Sequence, residues 1–232
     1  MNNDIRHYLA LKLSGVMQSW GGHTLEDLRH TELMPTRSAI LGLLAACLGI
    51  DRKHSDRLEA LAQSVTMAVR ADAHSSKTGK LLEAQRIMDF HTVMDARKVD
   101  GKPNKFPVVS RREYLCDAVF TVLLEENENA FFSLDDIKQA VQNPVYIPFL
   151  GRRSCPITRP LYEADLTASD FKAAFSLLDS IAGTVYSDKP LDQDDVVMRI
   201  RDIPLYKRKR QFASRKLYIH PDNANEAHHV SE

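Results

Sequence analysis

Four stretches of the 232-residue chain combine residue types that can do chemistry. GVMQSWGG at 15–22 holds the only Trp in a glycine-rich loop. Glycine lets backbone approach a ligand closely. Gln18 offers an amide for a base edge or a phosphate, and Trp20 a ring for stacking on a base. Trp20 is equally a plug for the core beneath the loop. The GxGxxG dinucleotide pattern is absent.

PTRS at 35–38 precedes an apolar helical pattern. The free N–H groups and dipole of a helix start attract anions, and Arg37 and Ser38 add donors there. GRRSCP at 151–156 sets Arg152 beside Arg153 and a hydroxyl. Paired guanidiniums suit bidentate phosphate binding. Cys155 reads as a packing residue. The run from Arg199 to Lys216 holds eight cations against the single acid Asp202, while the whole chain balances 31 cations with 31 acids. Tyr206, Phe212 and Tyr218 interleave with this charge, which suits a stacked polyanion. The competing reading is a solvated edge strand guarded by lysines.

Catalysis has weaker support. His91, Tyr114 and Lys105 are candidates for a metal-free ribonuclease, with no defining spacing. Three Cys without a CxxC pair and nine scattered His argue against a disulfide framework or zinc site. No motif calls for a cofactor.

The elements that must position these residues follow from hydrophobic period. Residues 7–13 alternate as a strand, with Leu9, Leu11 and Leu13 on one face. A helix follows over 39–48, capped by Thr36 or Ser38 and stopped at Gly49. A second is expected at 55–63 with Ser55 as cap, then a strand at 65–71. From 72 to 111 the pattern fails. Alternation returns at 114–124 as a third strand. Ser133 and Asp136 open a helix at 133–142. Residues 145–149 are the expected fourth strand, restricted by Pro148. A helix at 168–179 and strands near 196–200 and 216–220 complete the reading.

This order is α+β, a modified ferredoxin-like or RNA-recognition-motif arrangement, βαββαβ. The core is expected over 1–162, with 72–111 inserted between the second and third strands. An extension carrying the basic strand spans 163–220, and 221–232 is a frayed tail. A hydrophobic fraction of 44% supports a real core. MNNDIRH carries no secretion pattern, and the longest nearly apolar run, 39–50, is too short to cross a bilayer. A cytoplasmic protein without membrane contact is expected.

Six segments together resemble the CasD-type subunits of type I-E CRISPR Cascade, within the repeat-associated RNA-binding superfamily. They are LKLSGVMQSWGG (11–22), PTRSAILGLLAACLGI (35–50), FHTVMDAR (90–97), REYLCDAVFTV (112–122), YIPFLGRRSCPITRPL (146–161) and RQFASRKLYI (210–219). The resemblance implies a non-catalytic subunit that binds the 5′ handle of the crRNA and caps the filament of backbone subunits. It implies a thumb formed by the insertion, contact with the large subunit, and target DNA met only through the complex. A cleaving branch, in type I-C systems, makes processing of repeat RNA the alternative. Carried onto this sequence, the handle surface draws on Gln18, Trp20, Arg37, Ser38, His91, Arg97, Arg111, Arg112, Arg152, Arg153, Arg210 and Arg215.

Overall fold

Leu9, Leu11 and Leu13 alternate along strand β1 (Arg6–Ser14) with Tyr8, Ala10 and Lys12, and all six are buried. A strand buried on both faces must lie inside a sheet covered on both sides. The computed structural model shows that arrangement; it describes residues 5–22, 27–75, 81–82, 84–98, 100–179, 181–208 and 211–221.

Between β1 and the next long strand lie helices α1 (Arg37–Cys47) and α2 (Ser55–Ser64). Thr36 caps α1 by accepting the Ala39 N–H at 3.3 Å, and Gly49 takes the left-handed conformation that follows its end (φ 68°). Ser55 is the first helical residue of α2 rather than its cap; the N-cap is His54, without a side-chain bond. Strand β2 (Val65–Asp72) follows, then β3 (Gln85–Val93), β4 (Val108–Cys116) and β5 (Val119–Glu126). Helix α3 (Leu134–Gln142) opens with the expected capping box between Ser133 and Asp136. Strand β6 (Tyr162–Ala168), helix α4 (Phe171–Leu178) and strands β7 (Gly183–Ser187), β8 (Val196–Pro204) and β9 (Phe212–His220) complete the order.

Seven strands form one antiparallel sheet in the order β6-β1-β5-β2-β7-β9-β8. Helices α1, α2 and α3 pack on the face that carries Leu9, Leu11, Phe120, Val122 and Met67. Helix α4 lays Phe171, Ala174 and Phe175 on the opposite face, over Tyr8, Ala10, Ala68 and Leu123. That second face also buries a row of polar residues. Lys12 lies opposite Thr121, and Thr121 opposite Arg70. The Lys12 ammonium reaches Thr121 and Asp72 at 2.8 Å each. Arg70 donates to Asp72 at 2.6 Å and to Asp179 at 2.7 Å, with its guanidinium over the Phe175 ring. Two cations meet two carboxylates, so the buried charges are compensated.

Three expectations are corrected. Residues 145–149 do not form the fourth strand; Val145, Tyr146 and Ile147 lie exposed, Ile147 at 88%, and Pro148 lacks the N–H a ladder needs. Strand β6 takes that place beside β1. It crosses the 162/163 division, and β7, β9 and β8 of the extension add directly to the same sheet. The strand expected at 114–124 is two strands in different sheets, separated at Asp117, which adopts φ 53°. The patternless 72–111 segment contains regular structure: β3 and β4 pair as a long ribbon from Cys116↔Gln85 to Val108↔Val93. Met17–Gln18 and Leu28–Arg29 extend that ribbon into a four-stranded sheet. Among the described residues, no helix is long and apolar enough to cross a membrane. All of the expected tail except Pro221 lies outside the described residues.

Candidate nucleic-acid interface

Two glycines lock the loop after β1 to the double-arginine loop. A Cβ on Gly15 would stand 2.6 Å from Leu150 Cδ1 and 2.7 Å from the Pro156 carbonyl oxygen. Gly151 has φ +84°, and a Cβ there would meet the Ser19 carbonyl oxygen at 1.8 Å. Only glycine fits both the conformation and the contact. The Ser19 N–H donates to the Leu150 carbonyl at 3.1 Å, and its hydroxyl donates to the Glu113 carbonyl at 3.1 Å. The loops therefore brace each other against β4.

This bracing fixes Arg152. Its guanidinium lies over the buried Tyr114 ring, 4.7 Å from the centroid. It donates to the carbonyls of Glu113 at 3.0 Å and Arg29 at 3.1 Å. Stacking and two tethers hold the plane still and leave other N–H groups for an acceptor. The Tyr114 hydroxyl is 3.5 Å from His91 Nε2, and His91 is also paired with Asp89. Arg112 donates to the Ser110 hydroxyl at 3.1 Å. Arg111 is exposed on β4, and Arg153 is exposed beside Arg152. Arg97 is exposed farther along the ribbon, at a bridge to Pro103. His91, Arg111, Arg112, Arg152 and Arg153 thus belong to one small sheet and the loop packed on it.

Sequence reasoning missed Arg29, His30 and Arg86, which border the same sheet. Arg29 pairs with Arg112 in the parallel ladder, and Arg86 and His30 approach Glu113 at 3.7 and 3.5 Å. Glu113 also accepts the Thr31 N–H at 3.0 Å. The strand pairing that gathers them has no signature in local sequence.

Other candidates have structural roles. Trp20 is fully buried with its ring edge-on to Phe120, so neither face is open to a base. Gln18 is fully buried and donates to the Ala118 carbonyl. Ser38 shares its hydroxyl with Thr36 at 3.1 Å. Arg37 pairs with Asp188 and donates to the carbonyls of Ala62 at 2.8 Å and Val65 at 2.9 Å, closing the end of α2. Arg215 donates to both oxygens of Asp202, at 2.7 and 2.9 Å, and to Asp188 at 2.7 Å. Burial opposes the Arg215 charge, but the hydrogen bonds to Asp202 and the charge of Asp188 outweigh it and hold its pKa above the usual value. Both arginines serve packing because carboxylates from β8 and from the turn after β7 reach them first. Arg210 lies outside the described residues.

The basic run is accordingly divided. Lys207 faces Glu59 and Asp56 of α2 at 3.4 and 3.8 Å, and Arg215 points inward. Tyr206 packs against the core, where burial pushes its hydroxyl up to about 12. Of the ribonuclease candidates, His91 and Tyr114 come together, whereas Lys105 sits over the Phe106 ring.

Residues 8–218 match the family described as CRISPR-associated protein (Cas_Cas5). The chain is 41% identical over 216 residues to the CRISPR system Cascade subunit CasD of Escherichia coli (strain K12), covering 93% of this chain and 96% of that protein. Among solved structures, a chain of a CRISPR RNA-guided surveillance complex superposes with TM-score 0.70 at 24% identity, covering 93% of this chain and 90% of its own. A crystal structure of a Cas protein superposes with TM-score 0.61 at 26% identity, covering 93% and 98%.

Proposed function

The chain belongs to the CRISPR-associated Cas5 family, and from that premise we propose that it is the Cascade subunit that grips the 5′ handle of the crRNA. The observation that carries this reading is the immobilised guanidinium of Arg152 among exposed Arg29, Arg111 and Arg153. Arginines fixed by carbonyls and an aromatic ring bind phosphate with little loss of side-chain freedom. The subunit acts by capture rather than catalysis. Phosphates sit on the guanidiniums, and unpaired bases lie along the small sheet.

The fold supports an unusual location for this grip. Strands β6-β1-β5-β2, with α1 and α3, follow the strand order of a split βαβ unit and correspond to a ferredoxin-like core. In RNA-recognition motifs the bare sheet face receives RNA. Here α4 and the Lys12–Asp72 row cover it, so the ligand moves to the inserted sheet.

The β3–β4 ribbon is the thumb of this reading. It exposes Ile87, Met88, Phe90, Met94 and Phe106, an apolar surface suited to the first backbone subunit. The large subunit is the other protein partner, and target DNA is recognised through guide pairing within the assembly.

The test is binding of handle RNA to the purified chain, read by fluorescence anisotropy across salt concentrations. Arg152→Ala with Arg153→Ala should weaken binding and lower the salt slope by roughly one per lost phosphate contact. Unchanged affinity and slope would refute the assignment. In parallel, repeat RNA should remain intact when incubated with the wild-type chain.

A further inference from the structure

We propose that the outward face of the β8–β9 hairpin is a second platform, which holds a single strand of polynucleotide apart from the handle site. Four observations support it. Arg199 lies directly opposite Lys216 in the antiparallel ladder. Like charges in facing positions destabilise a strand pair, so the pair serves something other than the hairpin. Both residues are exposed, and among the described residues no carboxylate lies within ion-pair distance of either. The next facing pair along the same side is Val197 and Tyr218, half-exposed apolar surface beside the charge.

The hairpin lies at the end of the seven-stranded sheet, and β8 is its edge strand. The pleat separates two kinds of residue. Arg215 and Leu217 face inward to the carboxylates and the core. Lys216 and Tyr218, between and beyond them, face out. Ser214 is exposed on the outward register as well, and exposed Arg201 is tied to the Phe212 carbonyl at 2.8 Å. The face therefore sets the cations Arg199 and Lys216 beside one aromatic ring, Tyr218, and the apolar Val197.

Two unpartnered cations next to an accessible tyrosine favour a polynucleotide over an acidic peptide. Phosphates require cations, and bases require flat rings near them. A peptide carboxylate would use only the cations. The surface is also built by other elements than the Arg152 site, which stands on β4 and the loop at 149–156. The two surfaces can be tested separately.

The experiment uses the purified full chain and fluorescein-labelled dodecamers of thymidylate and uridylate, with handle RNA and an oligoglutamate peptide as comparisons. Arg199→Ala with Lys216→Ala should weaken dodecamer binding about tenfold and reduce its salt slope by one to two. Handle RNA affinity should stay within about twofold, and the thermal midpoint should hold or rise because the like-charge pair is gone. Tighter binding of thymidylate or of uridylate distinguishes a DNA from an RNA strand, and either supports the platform. Unchanged dodecamer binding in the double variant overturns it, as does oligoglutamate binding as tight as the dodecamers. Equal loss of handle RNA and dodecamer would make the face part of the handle site and overturn its separateness. Failure of the Arg152 and Arg153 test would leave this result readable on its own.

Discussion

The carboxylate of Asp202 accepts the backbone N–H of Arg37 at 2.8 Å, so the N-terminus of α1 binds an anion from its own chain. The chemistry read from PTRS at 35–38 is present, and its ligand is internal. Asp202 also receives Arg215, while Asp188 joins Arg37 and Arg215 and accepts the Met67 N–H at 3.1 Å. Two arginines and two aspartates thereby tie β8, β9 and the turn after β7 to α1 and β2.

Asp202→Ala should remove about 3–5 kcal/mol of stability, because it leaves the largely buried Arg215 and Arg37 to share the single carboxylate of Asp188, one charge short of compensation. Denaturant unfolding measures this. Hydrogen exchange should show β8 and β9 losing protection before β1 and β5. A loss under about 1 kcal/mol would mean that the cluster is incidental to the fold.

Gly151→Ala should cost more than about 1 kcal/mol and also weaken handle RNA binding. The added methyl cannot coexist with the Ser19 carbonyl, and relief of that clash shifts the Arg152 loop. Arg152→Lys separates the two effects. It keeps a charge and the fold but loses the planar stack on Tyr114. Wild-type RNA affinity in both variants would contradict the link between the glycine and the guanidinium.

Trp20 is the only tryptophan, which makes fluorescence a direct probe of its role. Buried against Phe120, it should emit at short wavelength, and handle RNA should leave the emission unchanged. Strong quenching by RNA would restore the base-stacking role. Trp20→Ala should cost about 3–5 kcal/mol, as expected for a large buried aromatic.

Thiol labelling should single out Cys116. Cys47 and Cys155 are fully buried. Burial pushes the Cys47 thiol up to about 11, and desolvation outweighs the hydrogen bond from Ser154 to keep Cys155 raised. Thiolate is the reactive form, so both should stay unmodified near neutral pH until unfolding. Cys116 is half-buried at the end of β4 and should react first. Rapid labelling of Cys155 would show that the Arg152 loop opens.

Helices α1 and α3 were legible because their caps are local: Thr36 with Ala39, and Ser133 with Asp136. Strand β6 was harder. YEADLTA does alternate, but VYIPF is more apolar and drew the assignment to 145–149. The ribbon at 85–116 escaped because it has no single buried face to impose a period of two. Among the site candidates, adjacency singled out Arg152 and Arg153, which the structure places beside the small sheet. It could not reveal that Arg37 and Arg215 are already engaged, because their aspartates lie far along the chain from Arg37 and are set by tertiary packing. Gly15 was read as room for a ligand, and it accommodates a neighbouring loop instead, as Gly151 also does.

Covering the sheet with α4 divides the protein by tolerance to change. Lys12, Arg70 and Thr121 are now interior, and any drift there is felt by folding itself. The ribbon joins this interior through Asp117 and a few short ladders, outside the compensated charge row. Under the proposed thumb role, variation among guides and neighbouring subunits would fall on the ribbon, and a ribbon grafted from a relative would retarget assembly while the scaffold is inherited unchanged.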